Sequence, residues 1–334
     1  MGKPAAFVFP GQGSQYVGMG RQALQSFAIA RDALAEADQV LGFKISQMIL
    51  EGPEEALTDT LNAQPALLAT SIAYLRIYQQ SAEALAPRLL AGHSMGEYTA
   101  LVAAGVLSYA DGLRLVRERG RLMKEAGERH PGKMAAIIRV ETDALEAICR
   151  QASGASELDV VRIANYNAPG QIVISGSAEA VDRAMALAQA QGARRVIPLA
   201  VSIASHSPLM RDATAGLRQA VHQAAMRPAQ VPVVSNITAR PMSDPAEIAD
   251  ELAAQLTSPV RWIDSIQYIA AQGINTFVEI GPKDVLKGLI GRILPEVELP
   301  AYEAYFVYPP ALKNSKRVGV FRDFLVAQAR EWSF

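Results

Sequence analysis

Leu89-Leu90-Ala91-Gly92-His93-Ser94-Met95-Gly96-Glu97-Tyr98 decides how the chain is read. A short apolar run ends in Gly-x-Ser-x-Gly and passes at once into a helix-compatible segment. That is the pattern of a nucleophile elbow, a serine on a tight turn between a strand and a helix. Small residues are needed on both sides, because the serine backbone is strained and neighbouring chain passes close by. Gly92 and Gly96 meet that need. The new helix also points free N–H groups at the serine, a place where negative charge can develop.

Around this element, 334 residues suffice for one large domain or two moderate ones. Half are hydrophobic and 19% are charged, the balance of a globular chain with a substantial core. The formal net charge of −1 gives no reason to expect nucleic acid or an anionic membrane as partner. The single cysteine, Cys149, excludes an intramolecular disulfide and points to a reducing compartment. With Leu145, Ile148 and Ala152 at helical spacing, it reads as a buried structural thiol. The apolar start Ala5–Phe9 stops at Pro10, so no secretory leader is expected, and no apolar run reaches the length of a membrane span. A cytoplasmic protein is the expectation.

Ala5–Phe9 reads as a buried strand running into Pro10-Gly11-Gln12-Gly13-Ser14-Gln15, a loop able to approach a ligand closely. A dinucleotide fingerprint is rejected there, since Tyr16 stands where the third glycine is needed. Helices are expected over Phe27–Val40 and from Asn62-Ala63-Gln64-Pro65 through Tyr78. After the elbow a helix runs to Ala104, Gly105 interrupts it, and Ser108 can cap the next. That next helix, Leu113–Met123, carries Arg114, Arg117, Arg119 and Arg121. One of these directed inward would bind an anion; spacing does not choose it.

From His130-Pro131-Gly132 the texture changes. Strand (Met134–Val140), helix (Thr142–Gln151) and strand (Val160–Ala164) lead to a turn over Asn165–Gly170. Strand (Gln171–Ser175), helix (Ala178–Gln191) and strand (Arg195–Pro198) follow. This β-α-β-β-α-β order is that of a ferredoxin-like unit, read as an insert of 130–197 in an α/β body made of 1–129 and 198–334. The later chain returns to helix (Pro208–Ala225), strand (Val231–Ser235), helices (Pro245–Leu256 and Pro259–Gln272) and strand (Thr276–Ile280).

A serine hydroxyl becomes a nucleophile only when a positioned base takes its proton. Of the histidines, His93 leaves the elbow in another direction and supports the site, His130 precedes a proline in the hinge, and His222 lies in a polar helical stretch. His206 sits in Ser202-Ile203-Ala204-Ser205-His206-Ser207-Pro208, a polar loop before a helix, and follows the serine as in hydrolase-like triads. It is the base this reading selects. For a group to orient it, Asp264 and Glu279 are available, and a backbone or amide carbonyl could serve instead.

Further blocks stand in order along the chain: Phe9-Pro10-Gly11-Gln12-Gly13-Ser14-Gln15, Gln64-Pro65-Ala66, Gly92-His93-Ser94-Met95-Gly96-Glu97 and Arg117-Glu118-Arg119-Gly120. Asn165-Tyr166-Asn167-Ala168-Pro169-Gly170-Gln171, Ser205-His206, Asn236, Gln255, Pro259-Val260-Arg261-Trp262 and Glu279-Ile280-Gly281-Pro282 complete them. In these blocks the chain resembles the malonyl-CoA:acyl carrier protein transacylases, the acyltransferases of fatty acid and polyketide synthesis. The resemblance implies an α/β fold, an α/β-hydrolase-like large subdomain carrying the inserted ferredoxin-like small subdomain. It implies Ser94 as nucleophile, His206 as base, and Gln12 with the N–H of Met95 as oxyanion hole. Arg119 would pair with the free carboxylate of the malonyl group. Gln255 would orient His206 through its backbone carbonyl, and His93, Asn165 and Ser205 would line the substrate site.

The implied reaction is ping-pong transfer of malonyl from malonyl-CoA to the phosphopantetheine thiol of acyl carrier protein, without metal or redox cofactor. A monomer is expected. Met95 stands where leucine is common in the family, a volume-conserving change. Ser205 lies in the stretch where members differ by acyl group, so methylmalonyl and a polyketide role stay open beside malonyl and fatty acid synthesis. A serine hydrolase and a non-catalytic carrier-binding module are the rivals; Arg119 separates the first, since an ordinary esterase needs no buried cation. For the tail, Tyr302–Phe334, an amphipathic helix over Val318–Ala329 docked on the body is the expectation.

Overall fold

A computed structural model describes residues 4–81, 84–201 and 203–296 of the chain. The expected tail helix lies outside the described residues. β1 (Ala5–Phe9) is followed by α1 (Arg21–Ser26), α2 (Ala28–Leu41), α3 (Ile45–Glu51), α4 (Glu54–Thr58) and α5 (Thr60–Gln79), then β2 (Pro87–Gly92). Next come α6 (Gly96–Ala103), α7 (Tyr109–Arg129), β3 (Gly132–Ile138), α8 (Thr142–Ala152), β4 (Val161–Ala168), β5 (Gln171–Ser177), α9 (Ala178–Ala190) and β6 (Arg195–Pro198). The chain continues through α10 (Arg211–Gln223), β7 (Val233–Val234), β8 (Pro241–Met242), α11 (Pro245–Gln255), α12 (Trp262–Ala271), β9 (Thr276–Glu279) and α13 (Val285–Ile293).

The strands form two sheets. The first has the order β8-β7-β2-β1-β9, parallel except for β8. It is buried on both faces, which its sequence requires: Ala5, Phe7 and Phe9 enter one core with Leu90 and Val233, while Ala6 and Val8 enter another with Leu89, Ala91 and Val234. The second sheet, β4-β5-β3-β6, is antiparallel throughout. Its Ala135, Ile137, Ile163, Ile172 and Ile174 pack against Leu145, Ile148 and Cys149 of α8 and Val181 and Ala184 of α9. This is the ferredoxin-like subdomain, and the body that carries it is α/β-hydrolase-like. Burial pushes the Cys149 thiol up to about 12, as a packed, unreactive cysteine requires.

Two local expectations change. The helix α5 begins at Thr60, capped by Asp59, and contains Pro65. A proline there removes the hydrogen bond to the carbonyl four residues back, and Arg117 Nη1 donates to that freed Leu61 oxygen at 3.0 Å. The turn read over Asn165–Gly170 is tighter: β4 runs to Ala168, with register irregularities at Ile163/Asn165 and Tyr166/Ala168. Two asparagines in one strand look like turn chemistry in sequence, yet the bulged strand accommodates both.

Candidate active site

Ligands of parallel α/β sheets bind beyond the carboxyl ends of the strands, and the polar residues collect there. The Pro10–Gln15 loop follows β1, the elbow follows β2, Asn236 follows β7 and Gly281 follows β9. Ser94 has φ +52, left-handed backbone that a serine adopts only when its surroundings enforce it. The glycines are steric requirements. A Cβ on Gly92 would lie 2.0 Å from the Gly96 carbonyl carbon and oxygen, and one on Gly96 would lie 2.1 Å from Phe9 O. Ser94 N–H donates to Asn236 Oδ1 at 2.7 Å, and Asn236 Nδ2 donates to Gly92 O at 2.7 Å, so one asparagine clasps both limbs of the elbow.

His206 comes from the loop before α10 and is 3% exposed, with φ +60. Its Nε2 lies 2.8 Å from Ser94 Oγ. Its Nδ1 lies 3.0 Å from both Gln255 O and Ser258 O. A carbonyl oxygen only accepts, so the proton of the neutral ring sits on Nδ1 and Nε2 faces the serine as an acceptor. Burial, followed by the cation of Arg119, lowers the His206 pKa to about 3. The ring is therefore held ready to take the Ser94 proton. Neither of the two carboxylates available in the sequence orients it. Asp264 pairs with Arg261 at 2.7 Å on the surface, and Glu279 caps α13, accepting from Leu286 N at 3.0 Å and Lys287 N at 2.7 Å.

Among the arginines of α7, Arg114 and Arg121 form exposed pairs with Asp111 and Glu118. Arg117 is half-buried against α5. Of the five arginines of α7 only Arg119 is fully buried, at 1% exposure, because the helix turns position 119 inward along with Gly112, Val116 and Met123. Its Nη2 donates to Ser94 Oγ at 3.2 Å and Gln255 Oε1 at 3.0 Å; its Nη1 donates to Gln64 Oε1 at 2.8 Å. The guanidinium lies 5.5 Å from the Tyr98 ring centre. Among the described residues its Nε–H has no acceptor and its other partners are neutral oxygens. Burial lowers its pKa. A buried cation held only by neutral oxygens is a receptor for an anion.

Gln64 Nε2 passes the chain on to Thr60 Oγ1 at 2.9 Å, which donates to Gln12 Oε1 at 3.0 Å. The Gln12 side chain is thus committed to α5. What the first loop and the elbow leave free are peptide groups: the N–H of Gln12 and of Met95 have no acceptor among the described residues. Such donors, when they meet beside a serine, can hold the oxygen of a tetrahedral intermediate. His93 Nε2 lies 2.8 Å from Asn167 Oδ1, its ring stands edge-on to Trp262, and burial lowers its pKa. No side-chain hydrogen bond links Asn165 or Ser205 to these groups among the described residues; the asparagine of β4 that reaches the elbow is Asn167. A cleft of about 630 Å³ reaches His206 from the side of the second sheet, between Tyr166, Thr257 and Pro259.

A family model described as an acyl transferase domain matches residues 6–316. The chain belongs to the acyl transferase family. Similar relatives include the malonyl CoA-acyl carrier protein transacylase of Bacillus subtilis (strain 168), 46% identical over 288 residues that cover 86% of this chain and 90% of the relative. Another, the enzyme of that name from Escherichia coli (strain K12), is 44% identical over 289 residues, 86% and 92% of the two chains. The crystal structure of an acyl carrier protein S-malonyltransferase from Vibrio cholerae O1 superposes with a TM-score of 0.85 at 42% identity, covering 89% of this chain and 95% of that one. A malonyl-transacylase in complex with a type II PKS acyl-carrier protein superposes with a TM-score of 0.85 at 41% identity, covering 88% and 94%.

Four polar residues of this acyltransferase site had no role from sequence: Gln64, Glu97, Asn167 and Asn236. Their signal was weak in kind, since an amide or carboxyl looks alike on a surface and in a core. Glu97 is wholly buried, and Glu251 is 6% exposed. Burial and the Glu251 carboxylate raise the Glu97 pKa well above the ordinary range, while N–H groups of Asn236 and Gln255 oppose that shift. Among the described residues no helix is long and apolar enough to cross a membrane, and no group of three His, Cys, Asp or Glu is placed to hold a metal ion.

Proposed function

We propose that this acyltransferase moves the malonyl group of malonyl-CoA to the phosphopantetheine thiol of acyl carrier protein through an acyl-enzyme on Ser94. Ser94 Oγ attacks the thioester carbon as its proton passes to His206 Nε2. The C–S bond then breaks and CoA leaves with that proton. The carrier thiol next gives its proton to His206, attacks the Ser94 ester, and the serine oxygen leaves with a proton from the imidazolium. The peptide N–H groups of Gln12 and Met95 receive the oxyanion in both halves. The Gln255 carbonyl keeps the His206 ring in register, with His93, Asn165 and Ser205 lining the approach. Acyl exchange between a thioester and an ester changes no oxidation state, so the scheme calls for no metal or redox cofactor.

The observation that carries the reading is Arg119, a buried cation whose hydrogen-bond partners among the described residues are neutral oxygens and which lies 3.2 Å from the Ser94 hydroxyl. A hydrolase of neutral esters has no use for it; an acyl group with a free carboxylate supplies the missing partner. Relatives named for the malonyl transfer support the same substrate. We read the pathway as fatty acid synthesis in the cytoplasm, the enzyme as a monomer, and 130–197 as the inserted subdomain. A polyketide role is the second reading, favoured by the likeness to a transacylase bound to a type II PKS carrier.

Incubation with malonyl-CoA, followed by mass spectrometry of the peptide containing Ser94, tests the reading: a malonyl adduct is expected, and its absence would leave only a carrier-binding module. Competition with methylmalonyl-CoA and acetyl-CoA for that adduct reads out acyl preference. Arg119→Ala is expected to lower kcat/KM for malonyl-CoA by about 10²-fold, the loss of a bidentate charge-assisted contact. Unchanged malonyl transfer in that variant would remove the carboxylate clamp from the scheme.

A further inference from the structure

Glu97 stands three residues beyond Ser94 on the first turn of α6, and nothing in the transfer chemistry uses it. Its contacts fix the orientation of the Gln255 amide. Gln255 bonds to Ser94 O at 3.1 Å through one side-chain atom and to Arg119 Nη2 at 3.0 Å through the other. A peptide carbonyl can only accept and a guanidinium can only donate. The atom facing Ser94 O is therefore the NH2, and the atom facing Arg119 is the oxygen. The same NH2 faces Glu97 Oε2. On the other side, Asn236 N donates to Glu97 Oε1 at 2.8 Å and Asn236 Nδ2 donates to it at 3.0 Å. Asn236 is itself fixed by backbone, through Gly92 O and Ser94 N–H. Both oxygens of Glu97 accept hydrogen bonds, Oε1 from Asn236 and Oε2 from Gln255.

We infer that Glu97 is a positioning residue for carboxylate recognition, acting on Arg119 through the side-chain amide of Gln255. The order along this line is Glu97 acceptor oxygen, Gln255 NH2, Gln255 oxygen, Arg119 guanidinium, so the amide turns its oxygen to the cation. The alternative amide orientation would set NH2 against guanidinium and oxygen against the Ser94 carbonyl, two repulsive contacts. By accepting from the Gln255 NH2, Glu97 reinforces the orientation that Ser94 O and Arg119 already require. The inference rests on the proposed malonyl transfer, and it adds specificity to a residue outside contact with substrate.

Glu97→Gln is the discriminating variant. Its oxygen can still accept from Asn236, so the Asn236 clasp on Ser94 survives, but its NH2 then faces the NH2 of Gln255. In either orientation of Gln255 a donor meets a donor. The expected result is a fall in kcat/KM for malonyl-CoA of about tenfold or more, carried by KM, as for loss of one charge-assisted contact. Labelling of Ser94 by phenylmethanesulfonyl fluoride, which needs the serine and His206 and no carboxylate clamp, should stay within about threefold, since the ring is held by backbone carbonyls that the substitution does not touch. Malonyl-CoA KM unchanged in a folded variant would overturn the inference. So would equal loss of both readouts, the mark of a purely structural role. Should the variant melt below the assay temperature, both readouts are taken at a lower temperature at which it stays folded, and the same split is expected. Failure of the wild-type protein to form a malonyl adduct would overturn the proposed function instead, a separate outcome from the same assay.

Discussion

The two sheets solve different problems. The parallel sheet is buried on both faces and sends four chain segments out of its carboxyl ends toward one point. The antiparallel sheet carries a core between one of its faces and α8 and α9, and contributes Asn167 to the site and a bridge between Asn165 and Val260. In the first, packing and chemistry are inseparable: Gly92, Gly96 and Asn236 are elbow and scaffold at once. In the second they are largely separable, because the residues that build the core face away from the elbow. Crowded strand ends thus concentrate both function and fragility, and the insert is expected to tolerate change that the body does not.

Ser94→Ala breaks the comparison at its centre. The acyl-enzyme cannot form, and transfer is expected to fall by about 10⁴-fold or more with little effect on stability, measured by steady-state transfer and thermal melting. Gly92→Ala sharpens it, since the added Cβ meets the Gly96 backbone and must push the elbow apart. A displacement near 1 Å at the nucleophile is expected to cost about 10²-fold in kcat, and the overpacking about 1–3 kcal/mol of stability. Ile174→Ala in the antiparallel sheet tests the other side. Ile174 is wholly buried, so its truncation should destabilise by about 2–5 kcal/mol, while kcat of the protein that remains folded stays close to wild type. A matching fall in kcat would show that the two sheets are coupled more tightly than their cores suggest.

The smallest effect is in pH. The folded-state pKa of His206 is depressed to about 3 from an ordinary value of 6.5. Between those limits the unfolded chain binds the extra proton, so stability rises with pH over that window and is lost as pH falls. His206→Asn should therefore narrow the difference in unfolding free energy between pH 7 and pH 5, by up to about 2 kcal/mol. Denaturant titrations at the two pH values measure it, and an unchanged difference would mean that the ring is not held neutral.

How much of the site was legible depended on how local its cause is. Gly-x-Ser-x-Gly is a steric statement about five consecutive residues, and the backbone at Ser94 with φ +52 is its direct consequence. The histidine emerged from a short field of candidates and the loop it occupies. The group that orients it was not legible from residue pattern, because a backbone carbonyl has no residue identity: the pattern left Asp264, Glu279 and a carbonyl open. Only the family resemblance pointed to the Gln255 carbonyl, which lies 3.0 Å from His206 Nδ1, while the two carboxylates serve a surface pair and a helix cap. Asn165–Gly170 misled for the opposite reason: strong turn formers were absorbed by a bulged strand whose partner β5 supplied a ladder of hydrogen bonds.

By itself the sequence determined the continuous apolar run that buries β1 on both faces, the elbow, the β-α-β-β-α-β order of the insert, and a short menu of polar residues. These follow from local sterics and from the period of the apolar pattern, which act within a few residues. Residue pattern did not choose the inward arginine or the carbonyl that holds His206, which only the resemblance named. Only the tertiary structure added the Ser258 carbonyl beside that of Gln255 and showed how Glu97, Gln255 and Arg119 line up behind the serine. Those choices depend on the rotation of α7, the end of α11 and the start of α6 meeting at one place. The hydrogen-bonding demands of buried groups are settled only when all three arrive.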